Sequence, residues 1–179
     1  CDPCEPGSFA NETGLRTCFS CELGTFQNVN GQDQCKNCTE GTFANVKGLS
    51  ACLPCGVGRA TNVNGSEACT PCVEGTFQDS IGAAVCDPCA LGFVSGSSSA
   101  VECLPCDAGS FANETGLSIC LDCGLGTFQP SQGQGSCDDC PTGRFAETSG
   151  RDDCEDCAAG TFAANNGSSS CDPCSEGSY

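Results

Sequence analysis

The chain has 179 residues and a formal net charge of −17, from 6 basic and 23 acidic side chains, and it contains 22 Cys but no His, Met or Trp. Nucleic acids and anionic membranes attract basic patches, so this charge excludes both as partners, and no apolar run reaches the roughly 18 residues of a membrane span. With an aromatic content of 6% the chain cannot build an ordinary core, and disulfides are the usual substitute for one.

Every Cys belongs to a Cys-x-x-Cys pair, and the pairs recur every 17 residues without an insertion. The pairs begin at Cys1, Cys18, Cys35, Cys52, Cys69, Cys86, Cys103, Cys120, Cys137, Cys154 and Cys171. So strict a period predicts one continuous array over residues 1–179, with ten full repeats and a partial eleventh at 171–179. We number the repeats 1 to 11 and the positions in each 1 to 17, with position 1 at the first Cys of the pair.

Three further positions define the repeat. Position 7 is Gly in all eleven repeats, position 9 is aromatic in nine, and position 14 is Gly in nine of ten. A position that accepts only Gly indicates a positive φ or a close backbone approach. The pattern predicts a small disulfide-rich tandem repeat, an elongated solenoid or rod of short β-hairpins and loops with almost no helix. We expect the ring at position 9 to form the core by packing on its own disulfide and on the next repeat.

Repeat 6 departs from the pattern. Phe93 comes one place early, Val94 takes the ring position, and a run from Gly96 to Ser99 replaces the usual return with its Gly. We expect a local irregularity or bend there.

The cysteines could serve redox chemistry, zinc or disulfides. A redox site needs one reactive pair in a βαβ context, and eleven equivalent pairs without a helix do not fit it. The Cys-x2-Cys-x13-Cys-x2-Cys spacing lies near that of zinc ribbons, but the number of pairs is odd and His is absent. Disulfides are therefore the preferred interpretation.

Three disulfide connectivities respect the period: bonds within each pair, bonds from position 4 to position 1 of the next repeat, or alternating bonds that double the period. We favour the second, because it closes a 15-residue loop in each repeat, worth roughly 3 kcal/mol in the chain-entropy model. It links Cys4–Cys18, Cys21–Cys35, Cys38–Cys52, Cys55–Cys69, Cys72–Cys86, Cys89–Cys103, Cys106–Cys120, Cys123–Cys137, Cys140–Cys154 and Cys157–Cys171. This ladder leaves Cys1 and Cys174 without partners. Either the array continues and supplies their partners, or these thiols join one molecule to the next.

The pattern Cys4-x2-Gly7-x-Phe9-x8-Cys18-x2-Cys21 resembles the ephrin-receptor-like cysteine-rich repeat. It is also similar to the smallest module of tumour necrosis factor receptor ectodomains, one of the EGF-like small disulfide-rich modules. The resemblance covers the full chain, with lower quality in repeats 4 and 6. It implies the bond Cys4–Cys18 and its equivalents, secretion, an elongated shape, little regular secondary structure and no catalysis.

Five Asn-x-Ser/Thr sequons predict N-glycosylation, at Asn11, Asn37, Asn64, Asn113 and Asn166. Asn37 is the weakest of them, because Cys38 is its middle residue. The other four fall in the polar return of repeats 1, 4, 7 and 10, and Gln27, Gln78 and Gln129 also recur every third repeat. These spacings suggest a 51-residue superperiod, from duplication or from about three repeats per superhelical turn.

No nucleophile and base can be assembled without His and with the Cys committed, so the chain is predicted not to be an enzyme. Acidic residues cluster from Asp138 to Asp156, which we interpret as a solvated face; calcium is a weak alternative, and no other cofactor is expected. We predict an extracellular, secreted or cell-surface glycoprotein that self-associates as a structural rod or fibril subunit. The alternative is a receptor-like ectodomain segment that binds a protein ligand.

Overall fold

The computed structural model describes residues 2–177, and in this range it contains no helix, only short antiparallel two-stranded hairpins. The predicted class, a small disulfide-rich tandem repeat, is confirmed. The hairpins are β1 (Ser8–Phe9) with β2 (Phe19–Ser20), β3 (Thr25–Phe26) with β4 (Lys36–Asn37), β5 (Thr42–Phe43) with β6 (Leu53–Pro54), β7 (Arg59–Ala60) with β8 (Thr70–Pro71), β9 (Thr76–Phe77) with β10 (Asp87–Pro88), β11 (Phe93–Val94) with β12 (Leu104–Pro105), β13 (Ser110–Phe111) with β14 (Leu121–Asp122), β15 (Thr127–Phe128) with β16 (Asp138–Asp139), β17 (Arg144–Phe145) with β18 (Glu155–Asp156), and β19 (Thr161–Phe162) with β20 (Asp172–Pro173).

Each hairpin joins two successive repeats. In β1 and β2, Ser8 pairs with Ser20 and Phe9 with Phe19, so positions 8 and 9 of one repeat face positions 3 and 2 of the next. A tight turn leads into the first strand, where the Ser8 amide donates to the Glu5 carbonyl at 3.1 Å across Gly7, whose φ is 86°. A positive φ at the third residue is what a type II turn requires, and Gly meets it without strain.

Main-chain hydrogen bonds connect each repeat to the next one. The Gly7 amide donates to the Gln27 carbonyl at 2.7 Å, and the Ala10 amide donates to the Gln32 carbonyl at 3.1 Å. In return, the Gly31 amide donates to the Cys4 carbonyl at 2.8 Å. Equivalent bonds recur in later repeats, so neighbouring repeats stabilise one another as a repeat architecture requires.

Contacts also reach the second repeat along. A Cβ built on Gly24 would overlap the carbonyl oxygen of Gly65, which occupies position 14 two repeats later, and the same holds for Gly126 and Gly167. Both predicted reasons for Gly at position 7 therefore apply: φ is positive, and another backbone lies directly above the Cα.

The core differs from the prediction. The side chains that are buried in most repeats are the Cys at position 4 and the residue at position 10, such as Ala44, Ala112 and Gln27. The rings at position 9 are only half-buried, and Phe162 is exposed. The expectation that the rings form the core is wrong in this respect, because hydrogen-bonded repeats lie too close together to enclose a ring. The expected contact with the next repeat is present for Phe128, which packs at the edge of the core against the Cys140–Cys154 bond and Ala146.

Repeat 6 keeps the standard hydrogen-bond pattern. Phe93 and Val94 pair with Pro105 and Leu104, and Ser99 donates its amide to the Cys72 carbonyl at 2.8 Å, as Gly does at position 14 elsewhere. The predicted local irregularity is therefore absent from these bonds. Keeping this pattern strains the backbone of Ser99, whose φ is 62°. No other non-Gly residue among residues 2–177 has a positive φ.

The contacts divide the chain into two compact units. The first comprises Cys1–Val73, Phe77–Asp87 and Ser98–Glu102, and the second comprises Glu74–Thr76, Pro88–Ser97 and Cys103–Tyr179. Each unit is built from the same hairpins, disulfides and bonds between repeats.

Candidate functional site

The ten disulfides link position 4 of one repeat to position 1 of the next, with Cα–Cα distances of 5.6–5.8 Å. They join the pairs of the sequential ladder rather than those of the within-pair or alternating patterns. The bonds are Cys4–Cys18, Cys21–Cys35, Cys38–Cys52, Cys55–Cys69, Cys72–Cys86, Cys89–Cys103, Cys106–Cys120, Cys123–Cys137, Cys140–Cys154 and Cys157–Cys171. Cys174 is a free thiol. Cys1, also predicted to lack a partner, and the ring of Tyr179 lie outside the described residues.

The two ends of each disulfide differ in burial. The Cys at position 4 is enclosed in most repeats, whereas the Cys at position 1 is at least partly exposed, with two exceptions: Cys69 is 6% and Cys154 is 2% exposed. Both exceptions occur where position 8 is Arg instead of the usual Ser or Thr. Arg59 donates to the Cys69 carbonyl at 2.9 and 3.2 Å, and Arg144 binds the carboxylate of Asp153, next to Cys154. Sequence reasoning missed this shielding, although the two Arg at one repeat position were a visible signal.

All five sequon asparagines are exposed. Asn11, Asn64 and Asn113 lie in the polar returns, and Asn166 there accepts a hydrogen bond from the Thr142 amide at 3.2 Å through Oδ1. Such a bond leaves Nδ2, the atom that carries an N-glycan, free.

Asn37 lies in a different setting. It belongs to β4 and sits against the turn of the following repeat, where a Cβ built on Gly65 would be 3.5 Å from the Asn37 side chain. A glycan on Asn37 would therefore crowd the contact between repeats 3 and 4.

The three glutamines that recur every third repeat have a structural role. Gln27, Gln78 and Gln129 occupy the buried position 10. The Gln78 amide donates to the Val85 carbonyl at 2.9 Å, and its oxygen accepts from the Ser80 amide at 3.0 Å. Gln27 and Gln129 make the same two bonds, so each Gln ties together the two arms of its own polar return.

Arginines partly neutralise the acidic segment at 138–156. Arg144 makes two bonds to Asp153, at 3.0 and 3.2 Å, and one to Asp156 at 2.9 Å, while Arg151 binds Glu155 at 2.6 Å. The hydrogen bond from Arg144, helped by one from the Cys154 amide, lowers the pKa of Asp153. Because the carboxylate is favoured in the folded protein, it stabilises the folded state at pH values above the ordinary pKa of Asp. This stabilisation is lost as the pH falls through the lowered pKa.

Residues 2–177 hold no group of three or more His, Cys, Asp or Glu placed to bind a metal ion. They also contain no helix long and apolar enough to cross a membrane.

An open cavity of about 720 Å³ lies in repeat 1, lined mainly by polar residues that include Asp2, Glu5, Glu12 and Arg16.

The repeat geometry agrees with one known family. The profile described as tyrosine-protein kinase ephrin type A/B receptor-like matches residues 7–48, 24–68, 62–102, 109–152 and 143–179. Together these matches cover nearly the whole chain. The chain belongs to this family. The comparison with curated proteins found no match to this ephrin-receptor-like chain.

Membership of this family confirms the resemblance drawn from Cys4, Gly7 and Phe9. Ephrin-receptor-like repeats together with ten disulfides indicate an extracellular or cell-surface location, because disulfides persist in oxidising compartments. The chain is accordingly a receptor-like or structural extracellular module.

Proposed function

We propose that this ephrin-receptor-like chain is an extracellular structural protein, a glycosylated, disulfide-laddered subunit of a fibril or stalk. One observation carries the proposal: a 17-residue unit recurs without insertion, and the same main-chain bonds join successive repeats. Selection for a binding site introduces loops and departures from a consensus. Selection for length and stability preserves the unit instead.

The distribution of stabilising contacts supports a mechanical role. Each repeat has its own covalent link and its own hydrogen bonds to the next, so no single contact holds the array together. The 15-residue loops each contribute roughly 3 kcal/mol in the chain-entropy model, which compensates for the small core. A load along the chain would meet an equivalent link at every repeat.

Self-association and N-glycans are part of the proposal. The edges of two-stranded hairpins can pair with other chains, against the repulsion between copies that each carry a net charge of −17. Glycans at the exposed Asn11, Asn64, Asn113 and Asn166 would restrict pairing to the surfaces that they leave open.

The proposed role needs neither catalysis nor a cofactor. The chain has no His, and its disulfides engage the cysteines that could act as nucleophiles, apart from Cys174 among residues 2–177. General base and nucleophilic chemistry therefore have few groups to use.

Electron microscopy of the purified, non-reduced glycoprotein tests this role. We expect uniform filaments, and we expect them to disperse in a control sample that is reduced and alkylated before imaging. Short monodisperse particles at all concentrations would contradict the structural role and favour a ligand-binding ectodomain.

The ligand-binding ectodomain is the second candidate, and repeat 6 favours it. Leu91, which precedes the atypical strand β11 of repeat 6, is 53% exposed, and Leu104, in the paired strand β12 of repeat 7, is 62% exposed. Exposed aliphatic side chains close together are typical of interaction surfaces.

A further inference from the structure

Repeat 6 places an apolar cluster on the second compact unit. At position 8, where most repeats have Ser or Thr, repeat 6 has Phe93, followed by Val94. In β11 and β12, Phe93 pairs with Pro105 and Val94 pairs with Leu104. We call Leu91, Phe93, Val94, Leu104 and Pro105 the repeat 6 patch.

A glycine loop brings the members of the patch together. A Cβ on Gly133 would lie 3.5 Å from Phe93 Cζ and 3.6 Å from Pro105 Cβ, and a Cβ on Gly135 would lie 3.4 Å from Leu91 Cβ. The loop therefore forms the floor on which Leu91 and Phe93 rest. Leu104 and Leu91 still project into solvent, at 62% and 53% exposure.

The substitutions in repeat 6 replace local turn interactions that other repeats make. Position 8 hydroxyls close the turn before the strand, as Ser110 does by donating to the Asp107 carbonyl at 2.8 Å, and Phe93 cannot make this bond. Ser99 adopts a φ of 62° where other repeats use Gly. Such local costs are characteristic of functional positions.

The charges around the patch specify its partner. From residue 60 to residue 143 the sequence contains no Lys or Arg but ten Asp and Glu. Asp107 borders the patch, because its carboxylate accepts a hydrogen bond from Gln132, the residue before Gly133, at 2.9 Å. An apolar surface bordered by Asp107, in a segment without cations, complements a basic, apolar polypeptide better than it complements a second copy of this acidic chain.

We propose that the repeat 6 patch docks an extracellular protein segment in which apolar side chains alternate with Lys or Arg. The apolar side chains pack on Phe93 and Leu104, and the cations face Asp107 and the acidic residues nearby. This inference deepens the ligand-binding candidate, and its failure would leave the structural proposal standing.

The test uses defined peptides and the full, non-reduced chain. The probe is a labelled peptide of alternating Leu and Lys, with two controls of equal length: Leu with Glu, and Ser with Lys. Binding is measured by fluorescence anisotropy at physiological salt. We expect the Leu–Lys peptide to bind at least tenfold more tightly than either control, since an apolar contact and a charge contact are both required.

Variants locate the site. Replacing both Phe93 and Leu104 by Thr should weaken Leu–Lys binding by about tenfold. Thr is the natural residue at the same two repeat positions in repeat 5, as Thr76 and Thr70. The matched control replaces Ile119 and Leu125 by Thr, because these side chains are 67% and 59% exposed but lie outside the patch. This control should bind as the unmodified chain does. Disulfide mapping establishes that both variants are folded.

Three outcomes would overturn the proposal. Equal binding of the Leu–Lys and Ser–Lys peptides would show charge attraction alone. Unchanged binding by the Phe93→Thr, Leu104→Thr variant would place the site elsewhere. Dimerisation of the unmodified chain in sedimentation experiments, lost in that variant, would make a second copy the occupant.

Discussion

Two glycine positions show how single residues set the spacing between repeats. At position 7, a backbone two repeats away lies where Cβ would be, as with Gly126 under Gly167. At position 14, the turn needs a positive φ but leaves room, which explains why Ser99 is tolerated there. In repeats 1 to 8, the close approach therefore adds a second constraint to the positive φ at position 7.

A pair of Ala variants in adjacent repeats separates these two effects. Gly126 and Gly143 have φ values of 77° and 82°, but Gly143 has no atom within 4 Å of a Cβ. Both Gly→Ala changes should lose roughly 1–2 kcal/mol from the left-handed backbone, and Gly126→Ala should lose a further 1–3 kcal/mol, roughly, from overpacking. Guanidinium unfolding with intact disulfides measures the difference. Equal losses would mean that the neighbouring turn moves aside freely.

The buried Gln at position 10 gives a second prediction at this scale. Gln129 donates to the Ser136 carbonyl at 2.8 Å and accepts from the Ser131 amide at 3.1 Å. Gln129→Ala should cost roughly 1–3 kcal/mol, because two hydrogen bonds of a buried side chain are lost. Hydrogen exchange of the Ser131 amide should become faster, while Gln134→Ala, an exposed change in the same return, should leave it unaltered. Unchanged Ser131 exchange in Gln129→Ala would show that the tie is dispensable.

At the scale of the element, the unit is a hairpin stapled by one disulfide. The strands are two residues long, and a hairpin so short is unstable in water by itself. The Cys4–Cys18 bond lies at its base, and bonds from the next repeat complete it. The hairpin therefore forms as part of a disulfide-linked array.

Burial of the cysteines predicts the order in which the disulfides are reduced. Exchange with a thiol requires access to a sulfur atom, so Cys4–Cys18, with Cys18 exposed, should react severalfold faster than Cys55–Cys69 and Cys140–Cys154. Timed treatment with dithiothreitol without denaturant, followed by alkylation and peptide mapping, measures the order.

Arg59 provides the control for this order. Arg59→Thr introduces the residue found at this position in five other repeats and removes the bonds to the Cys69 carbonyl. The Cys55–Cys69 bond should then become as reactive as its neighbours. Lys36→Thr, an exposed change of the same charge in another repeat, should alter nothing there. Resistance that persists in Arg59→Thr would assign the protection to packing of the repeats instead.

At the scale of the whole molecule, glycosylation depends on how the repeats pack. We expect the protein from secretory cells to carry N-glycans at Asn11, Asn64, Asn113 and Asn166 but not at Asn37, which lies against the Gly65 turn. Mass spectrometry of peptides after deglycosylation in heavy water measures the occupancy of each site. Asn37→Gln should leave the intact mass of the glycans unchanged. A glycan on Asn37 in chains with all ten disulfides would contradict the prediction.

Sequence alone determined the array. The spacing of the Cys pairs gave the repeat length, favoured the ladder that the structure contains, and placed Gly7 and its equivalents in turns, because each of these is a local property of a 17-residue unit. The family was recognisable from the same residues. The sequons were also visible, although their exposure was not.

Only the tertiary structure decided what lies inside. Main-chain bonds draw successive repeats so close that Ala44 is buried and the rings remain half-exposed, which a pattern of apolar residues cannot show. Two other contacts also join different repeats: Arg59 shields Cys69 of the next repeat, and Phe93 packs on Gly133, two repeats further along. Sequence periodicity describes one unit, whereas burial depends on the distance between units, and that distance is set by contacts that form only when the array folds.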